Sequence, residues 1–310
     1  MTNGTEDWSA YWTGRGQAGE AFAGEGVETH PGLAAFWDEV FAEAVPGARV
    51  LDVACDAGSV LRRAQARGLT HLTGVDASGA ALDVLARAVP GVETAEAPAD
   101  ALPFEADAFD LVTSQFGFEY AGEAAPGEMA RVLAPGGRLT ALVHLAGGAI
   151  EREVARAAEA ADAVAVSGFV PAARALVEAE FGFRDGRASE AVVRAARTAF
   201  DAPQRALHAA TRDHPSGIGQ HLYAGFRQLY ERRRAYDLAD ITRWLDGMAA
   251  ELATFRGRMA TMRAAVRGES AMAEIARRLE AGGLTAAAFV PFTLDGDEVP
   301  SAWRLTARGR

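Results

Sequence analysis

From residue 48 onward, short apolar runs alternate with stretches whose apolar residues recur at helical spacing. Val50–Val53 reads as a strand, 60–67 as a helix closed by Gly68, and 71–76 as a strand ending in Asp76. Residues 77–89 have a helical pattern that Pro90-Gly91 stops. The short segment 91–97 reads as a strand, as does 109–116. Residues 124–133 follow as a helix, a Pro135-Gly136-Gly137 turn comes next, and 138–144 reads as a strand. Strands alternating with helices predict a parallel sheet with crossover helices. Ahead of this, Leu33, Phe36, Trp37, Val40 and Phe41 lie on one face of a helix that Pro46-Gly47 ends.

After Gly147-Gly148 the pattern turns helical. Helices are expected over roughly 150–165, 170–181, 188–199, 217–235, 237–264 and 270–281, with turns at Asp201-Ala202-Pro203 and Asp213–Gly217. Strand character returns in 284–294 and 301–309, a hairpin around Asp295-Gly296-Asp297 that would complete the sheet's edge. The expected fold is α/β: a Rossmann-like, mostly parallel, seven-stranded sheet with a C-terminal antiparallel hairpin and a large helical insertion. Three regions follow: an N-terminal helical or lid segment (1–47), the core (48–148 plus 283–310), and the insertion (149–282), a cap, substrate or dimer region.

Composition narrows the chemistry. Hydrophobic residues are 49% of the 310 and charged residues 24%, ordinary for a globular chain. No apolar run reads as a membrane span, and the polar start with Trp8, Tyr11 and Trp12 is no secretory signal. One cysteine, Cys55, excludes an internal disulfide and a cysteine-based zinc cluster. The expected setting is cytoplasmic. All 31 basic residues are arginine, which excludes a lysine Schiff base and a Walker-type loop. The net charge of −11 argues against nucleic acid as a partner. His208, His214 and His221 are irregularly spaced and lack neighbouring cysteines, so no metal site is expected.

In an open parallel sheet, ligands sit beyond the carboxyl ends of the strands. Here those ends offer Asp52, Ala54, Cys55, Asp56 and Gly58; then Asp76; then Asp100 and Ala101; then Gln115, Phe116, Phe118, Glu119 and Tyr120; and last His144. An acid at the second strand's end suits the two hydroxyls of a ribose, the alternative being an Asp that caps the next helix. The loop 54–58 reads A-C-D-A-G. A pyrophosphate cofactor would want glycines and no acid there, whereas a cationic sulfonium ligand tolerates Asp56.

The motifs "VLDVACDAG", "VDAS", "ADALPF", "FDLVTSQFGFEY" and "RVLAPGGRL", in this order, resemble those of class I S-adenosylmethionine-dependent methyltransferases. The resemblance spans about 48–145 plus the terminal hairpin and omits 149–282. It implies that Asp52 and the loop Ala54, Cys55, Asp56 and Gly58 hold the methionine part, and that Asp76, with Ala77 beside it, takes the ribose. Asp100 and the backbone of Ala101 would read adenine, with Gln115 and Phe116 lining the pocket. The family usually has glycine at 54, 56 and 58, and this chain keeps only Gly58. Aspartate tolerates left-handed backbone angles, so the loop can hold its shape. In the worst case, Asp56 abolishes cofactor binding.

Methyl transfer chiefly needs alignment, and a base only where the acceptor must lose a proton. His144 is the first candidate base, against the alternative of a loop-bonding histidine. Glu119 and Tyr120 come second. His30, Tyr11 and Trp12 are candidates to close over the cofactor, and Arg15 to pair with its carboxylate. The expectation is in-line methylation of a small-molecule acceptor at O, N or C. A protein or peptide side-chain methyltransferase and a non-catalytic cofactor-binding scaffold are the alternatives. The apolar face of Ile218, Leu222, Phe226, Leu229 and Tyr230 is read as core by default, or as a cap or homodimer contact.

Overall fold

The computed structural model describes residues 30–212 and 217–310. The leader calls at Trp8, Tyr11, Trp12 and Arg15, and most of the turn expected at 213–217, lie outside these residues. The chain divides into two compact units. One runs to Arg152 and resumes at Thr261; the other is Glu153–Ala260.

The first unit opens with helix α1 (Pro31–Ala42). Its N-terminus is capped by His30, whose Nδ1 accepts from the Gly32 N–H at 3.2 Å. His30 therefore has a local structural task where a lid role was considered. The sheet strands are β1 (Arg49–Val53), β2 (His71–Asp76), β3 (Glu93–Glu96), β4 (Phe109–Gln115), β5 (Leu133–His144), β6 (Thr285–Phe292) and β7 (Ala302–Arg308), in the order β3-β2-β1-β4-β5-β7-β6. The first five are parallel, and β7 runs antiparallel between β5 and β6. Strand order reverses between β1 and β4, which makes the space beyond their carboxyl ends the switch point where such sheets bind ligands.

Helices α2 (Ser59–Ala66) and α3 (Gly79–Ala88) follow β1 and β2, and α4 (Ala125–Val132) precedes β5. One sheet face buries Leu51, Val53, Val112, Leu139, Ala141, Val143 and Leu305 against Met129 of α4. Met272, Ile275 and Leu279 join the same cluster from α10 (Glu269–Ala281). This corrects the expected boundary of 149–282. The last helix of that block belongs to the sheet unit, because its apolar stripe has sheet surface to cover.

The second unit is built from α5 (Ala149–Val166), α6 (Phe169–Arg184), α7 (Glu190–Thr211), α8 (Ile218–Glu231) and α9 (Leu238–Ala265), the first and last entering it from the sheet unit. Leu222 and Phe226 join its core with Phe169, Phe200, Leu207, Ile241 and Leu245. Two expectations are overturned here. Helix α7 runs straight through Pro203, where a turn was expected. Its buried Val193, Phe200 and Leu207 recur every seven residues, so core packing on both sides outweighs the proline's missing N–H. In addition, Ala149–Arg184 is long and apolar enough to cross a membrane, against the expectation that no run would be. Ala161, Val164, Phe169, Ala173, Leu176, Val177 and Phe181 of this stretch sit in the helical unit's own core.

Candidate active site

The site begins at the carboxyl end of β1. Asp52 is 1% exposed and accepts a hydrogen bond from Thr113 Oγ1 of β4 at 2.8 Å. Burial pushes its carboxyl up to about 7; the Thr113 bond opposes the rise and the nearby Asp76 charge adds to it. Beyond it the chain turns through three left-handed residues: Ala54 (φ 55°), Asp56 (φ 47°) and Gly58 (φ 82°). These are the three positions where the resembling family usually has glycine. The loop has thus kept glycine-like backbone angles with alanine and aspartate in place. At Gly58 a Cβ would stand 2.2 Å from Leu85 Cδ1, so any side chain there would force Leu85 to move. Gly117, after β4, is pressed against the loop in the same way, with a Cβ falling 2.5 Å from that of Ala54.

Asp76, at the end of β2, ties this loop down. One oxygen accepts from the Asp56 N–H at 3.0 Å and the other from the Ser78 N–H at 2.8 Å. Burial raises its carboxyl while the N–H groups of Ser78, Asp56 and Ala77 pull it back. Ser78, rather than Asp76, caps α3, accepting from the Ala81 N–H. The Cys55 thiol is buried and raised by burial and by the acids around it, so it is an inert packing group.

Asp100 lies on the turn after β3. Its carboxylate reaches the loop beyond β4, where a Cβ on Gly122 would fall 2.5 Å from Oδ2. The Ala101 N–H donates to Pro98 O at 3.1 Å, so this turn is closed on itself. A brace that sequence reasoning missed holds the segment: Arg131 bonds to Leu102 O, Phe104 O and Glu128, and Glu128 accepts from the Leu102 N–H. On β4, Gln115 Oε1 accepts from Trp37 Nε1 at 2.6 Å. That oxygen anchors α1, where a pocket-lining role alone had been expected. Phe116 (φ 53°) is buried and lies 4.8 Å from the His144 ring, centroid to centroid. Glu119 and His144 are buried together, with Glu119 Oε1 2.7 Å from His144 Nδ1, and the half-buried Tyr120 stands edge-on to the imidazole. Burial and the charges of Glu119 and Asp56 push the Tyr120 hydroxyl well above its ordinary range, which disfavours it as a base.

These features define a doubly wound nucleoside-binding fold with acids at the ends of its first three parallel strand units. Residues 50–137 match the family model described as a methyltransferase domain. A demethylmenaquinone methyltransferase of Clavibacter sepedonicus is 40% identical over 100 residues, 31% of this chain and 40% of the relative. A ubiquinone/menaquinone biosynthesis C-methyltransferase of Geotalea daltonii is 36% identical over 107 residues, 31% of this chain and 46% of the relative. The chain spans less than half the length of these curated relatives. Among solved structures, an S-adenosylmethionine-dependent methyltransferase from Mesorhizobium loti is 26% identical over 35% of this chain and 52% of its own, with a TM-score of 0.33. Over residues 50–137, then, the chain is similar to methyltransferase domains.

The site's residues fit S-adenosylmethionine. The loop keeps at 54, 56 and 58 the left-handed angles that glycine adopts most easily. Asp52, Asp56 and Asp76 gather acids at this loop, and burial that holds protons on Asp52 and Asp76 is relieved by a ligand bearing a sulfonium and an ammonium and worsened by a pyrophosphate.

Proposed function

We propose that this protein transfers a methyl group from S-adenosylmethionine to a small organic acceptor at oxygen, nitrogen or carbon. The observation that carries the proposal is the loop at 54–58. It holds three left-handed residues, two of them not glycine, and Asp76 fastens it through the Asp56 N–H. Left-handed alanine and aspartate are strained, and such strain persists where a ligand-binding shape is maintained.

In this proposal Asp52 and loop 54–58 hold the methionine part, Asp76 the ribose hydroxyls, and Asp100 the adenine amino group, with Phe116 as a wall. The bound cofactor supplies a methyl carbon already activated by its sulfonium. The protein's own work is to align the acceptor and exclude water. The matched domain stops at residue 137, before the helical unit, and a small-molecule acceptor is supported by what the curated relatives are named for. Demethylmenaquinone therefore heads the acceptors to be tried.

The test is titration calorimetry with S-adenosylmethionine on the native chain and on Asp56→Gly, followed by an acceptor screen read by release of S-adenosylhomocysteine. Binding by the native chain is expected, with Asp56→Gly changing affinity by no more than about tenfold, 1.4 kcal/mol. No binding by the native chain with tight binding by the variant would make the protein a scaffold that has lost its cofactor.

A further inference from the structure

Trp303, Leu305 and Ala307 of β7 face the core shared with α4 and α10. Side chains alternate along a strand, so Arg304, Thr306 and Arg308 stand on the opposite face of the sheet. On β5, Leu139, Ala141 and Val143 lie in that same core, which turns Arg138 and Thr140 to the opposite face too. The antiparallel register sets Arg138 directly across from Arg308, and Thr140 directly across from Thr306.

Like charges directly opposite each other weaken a strand pair. Arg138 is compensated: its guanidinium is paired with Glu43, just past α1, and donates to Val40 O. The exposed guanidiniums of Arg304 and Arg308 have no ion pair or hydrogen bond among the described residues. All three arginines line one cavity of about 370 Å³ within the sheet unit, and Phe36, Glu39, Val40 and Glu43 form its other wall. That volume is in the range of small-molecule sites. The cavity is remote from the carboxyl edge where the candidate cofactor residues gather. Arg138 stands six residues before His144, roughly 20 Å along β5.

The lining selects a ligand. A guanidinium offers N–H donors in a planar fork and no acceptor, so two unpaired ones call for an oxyanion. Thr306 lies between Arg304 and Arg308 on their face of β7, and Thr140 faces it across the ladder, so two hydroxyls can donate to the same group. Three arginines against Glu39 and Glu43 leave one net positive charge, which suits a compact anion and disfavours a polyanion. Phe36, Val40 and Ala286 give an apolar wall for an organic body. The whole chain carries a net charge of −11, so anions have no general attraction to it and would be drawn only by a local cluster such as this.

We propose that this cavity is a second ligand site, which binds a small organic oxyanion, a carboxylate or phosphate monoester on an apolar body, through Arg304 and Arg308. Arg138, fixed by Glu43, adds its charge at one end. No step of methyl transfer enters this proposal, and it stands or falls apart from the functional reading above.

Titration calorimetry on the full chain tests it, with benzoate, phenyl phosphate and the neutral benzyl alcohol as probes. Each titration is repeated with S-adenosylhomocysteine in excess. At least one anion is expected to bind, the tighter of the two identifying the acidic group, with benzyl alcohol at least about tenfold weaker. S-adenosylhomocysteine is expected to leave anion binding unchanged. Arg304→Gln and Arg308→Gln should each weaken it by about tenfold or more, whereas Arg87→Gln, exposed on α3, should not. Arg308→Gln relieves a like-charge pair, so it is expected to melt no lower than the native chain. Should either variant unfold, Arg304→Lys and Arg308→Lys, which keep the charge and lose the planar fork, read the same contacts. Failure of both anions to bind, equal binding of benzyl alcohol, displacement by S-adenosylhomocysteine, or an equal loss in Arg87→Gln overturns the proposal.

Discussion

Replacing Asp52 with Asn measures what the fold spends on a buried acid. The unfolded chain titrates near 3.9, while in the folded protein burial lifts this carboxyl to about 7. An acid whose folded pKa is the higher one favours the fold while it is protonated. That advantage is complete below about pH 4 and is lost as pH rises towards 7. The gap is about three units at 1.36 kcal/mol each, so at most roughly 4 kcal/mol of stability disappears between pH 4 and 8. Relaxation of the site will reduce this, and about 2–4 kcal/mol is expected. Asn cannot ionise, and its Oδ1 can accept the Thr113 Oγ1 bond that the native acid accepts at 2.8 Å. In scanning calorimetry, the sheet unit of Asp52→Asn should melt above the native protein at pH 8, with the difference closing towards pH 4. A variant less stable than native at pH 8, or a difference independent of pH, would refute the reasoning.

The same variant should bind S-adenosylmethionine more weakly, and the native chain should gain affinity about tenfold from pH 6 to 8 as Asp52 ionises; titration calorimetry at the two pH values checks both. Gly58→Ala should destabilise the sheet unit by about 2–4 kcal/mol, from the left-handed angle and from contact with Leu85 Cδ1. A Leu85→Ala background should relieve only the contact part, as urea melts will show. Trp37→Phe removes the donor to Gln115 Oε1 and should lose about 1–2 kcal/mol by the same melts. Pro203→Ala should stabilise the helical unit by about 1–2 kcal/mol, read by circular dichroism, since an interior proline weakens a helix and its stiffening of the unfolded chain offsets only part of that.

Much of the fold, and the strand-end position of the candidate cofactor residues, was legible because it is local. A strand's end is marked by where its apolar run meets a turn, and in a parallel sheet every such end opens on one edge. Asp52, Asp76 and His144 could therefore be placed at that edge from short windows. Periodicity could not say which surface a helix would cover. Helix α10 has the same kind of stripe as the helices before it, yet it packs on the sheet. Pro203 looked like a turn because propensity is local, whereas the Val193, Phe200 and Leu207 face that overrides it is tertiary.

The chemistry of the site was decided only by folding. Thr113 lies 61 residues from Asp52, Trp37 lies 78 from Gln115, and Arg267 lies 148 from Glu119. No motif announces such pairs, because hydrogen bonds between distant segments follow sheet order and register. Asp56 could be named from the chain as a departure from glycine, but only the backbone shows that it keeps the left-handed turn and gives its N–H to Asp76. By itself the sequence determined which residues stand at the strand ends, since periodicity and turns are written locally. The tertiary structure decided which of them touch, as Glu119 Oε1 and His144 Nδ1 do at 2.7 Å.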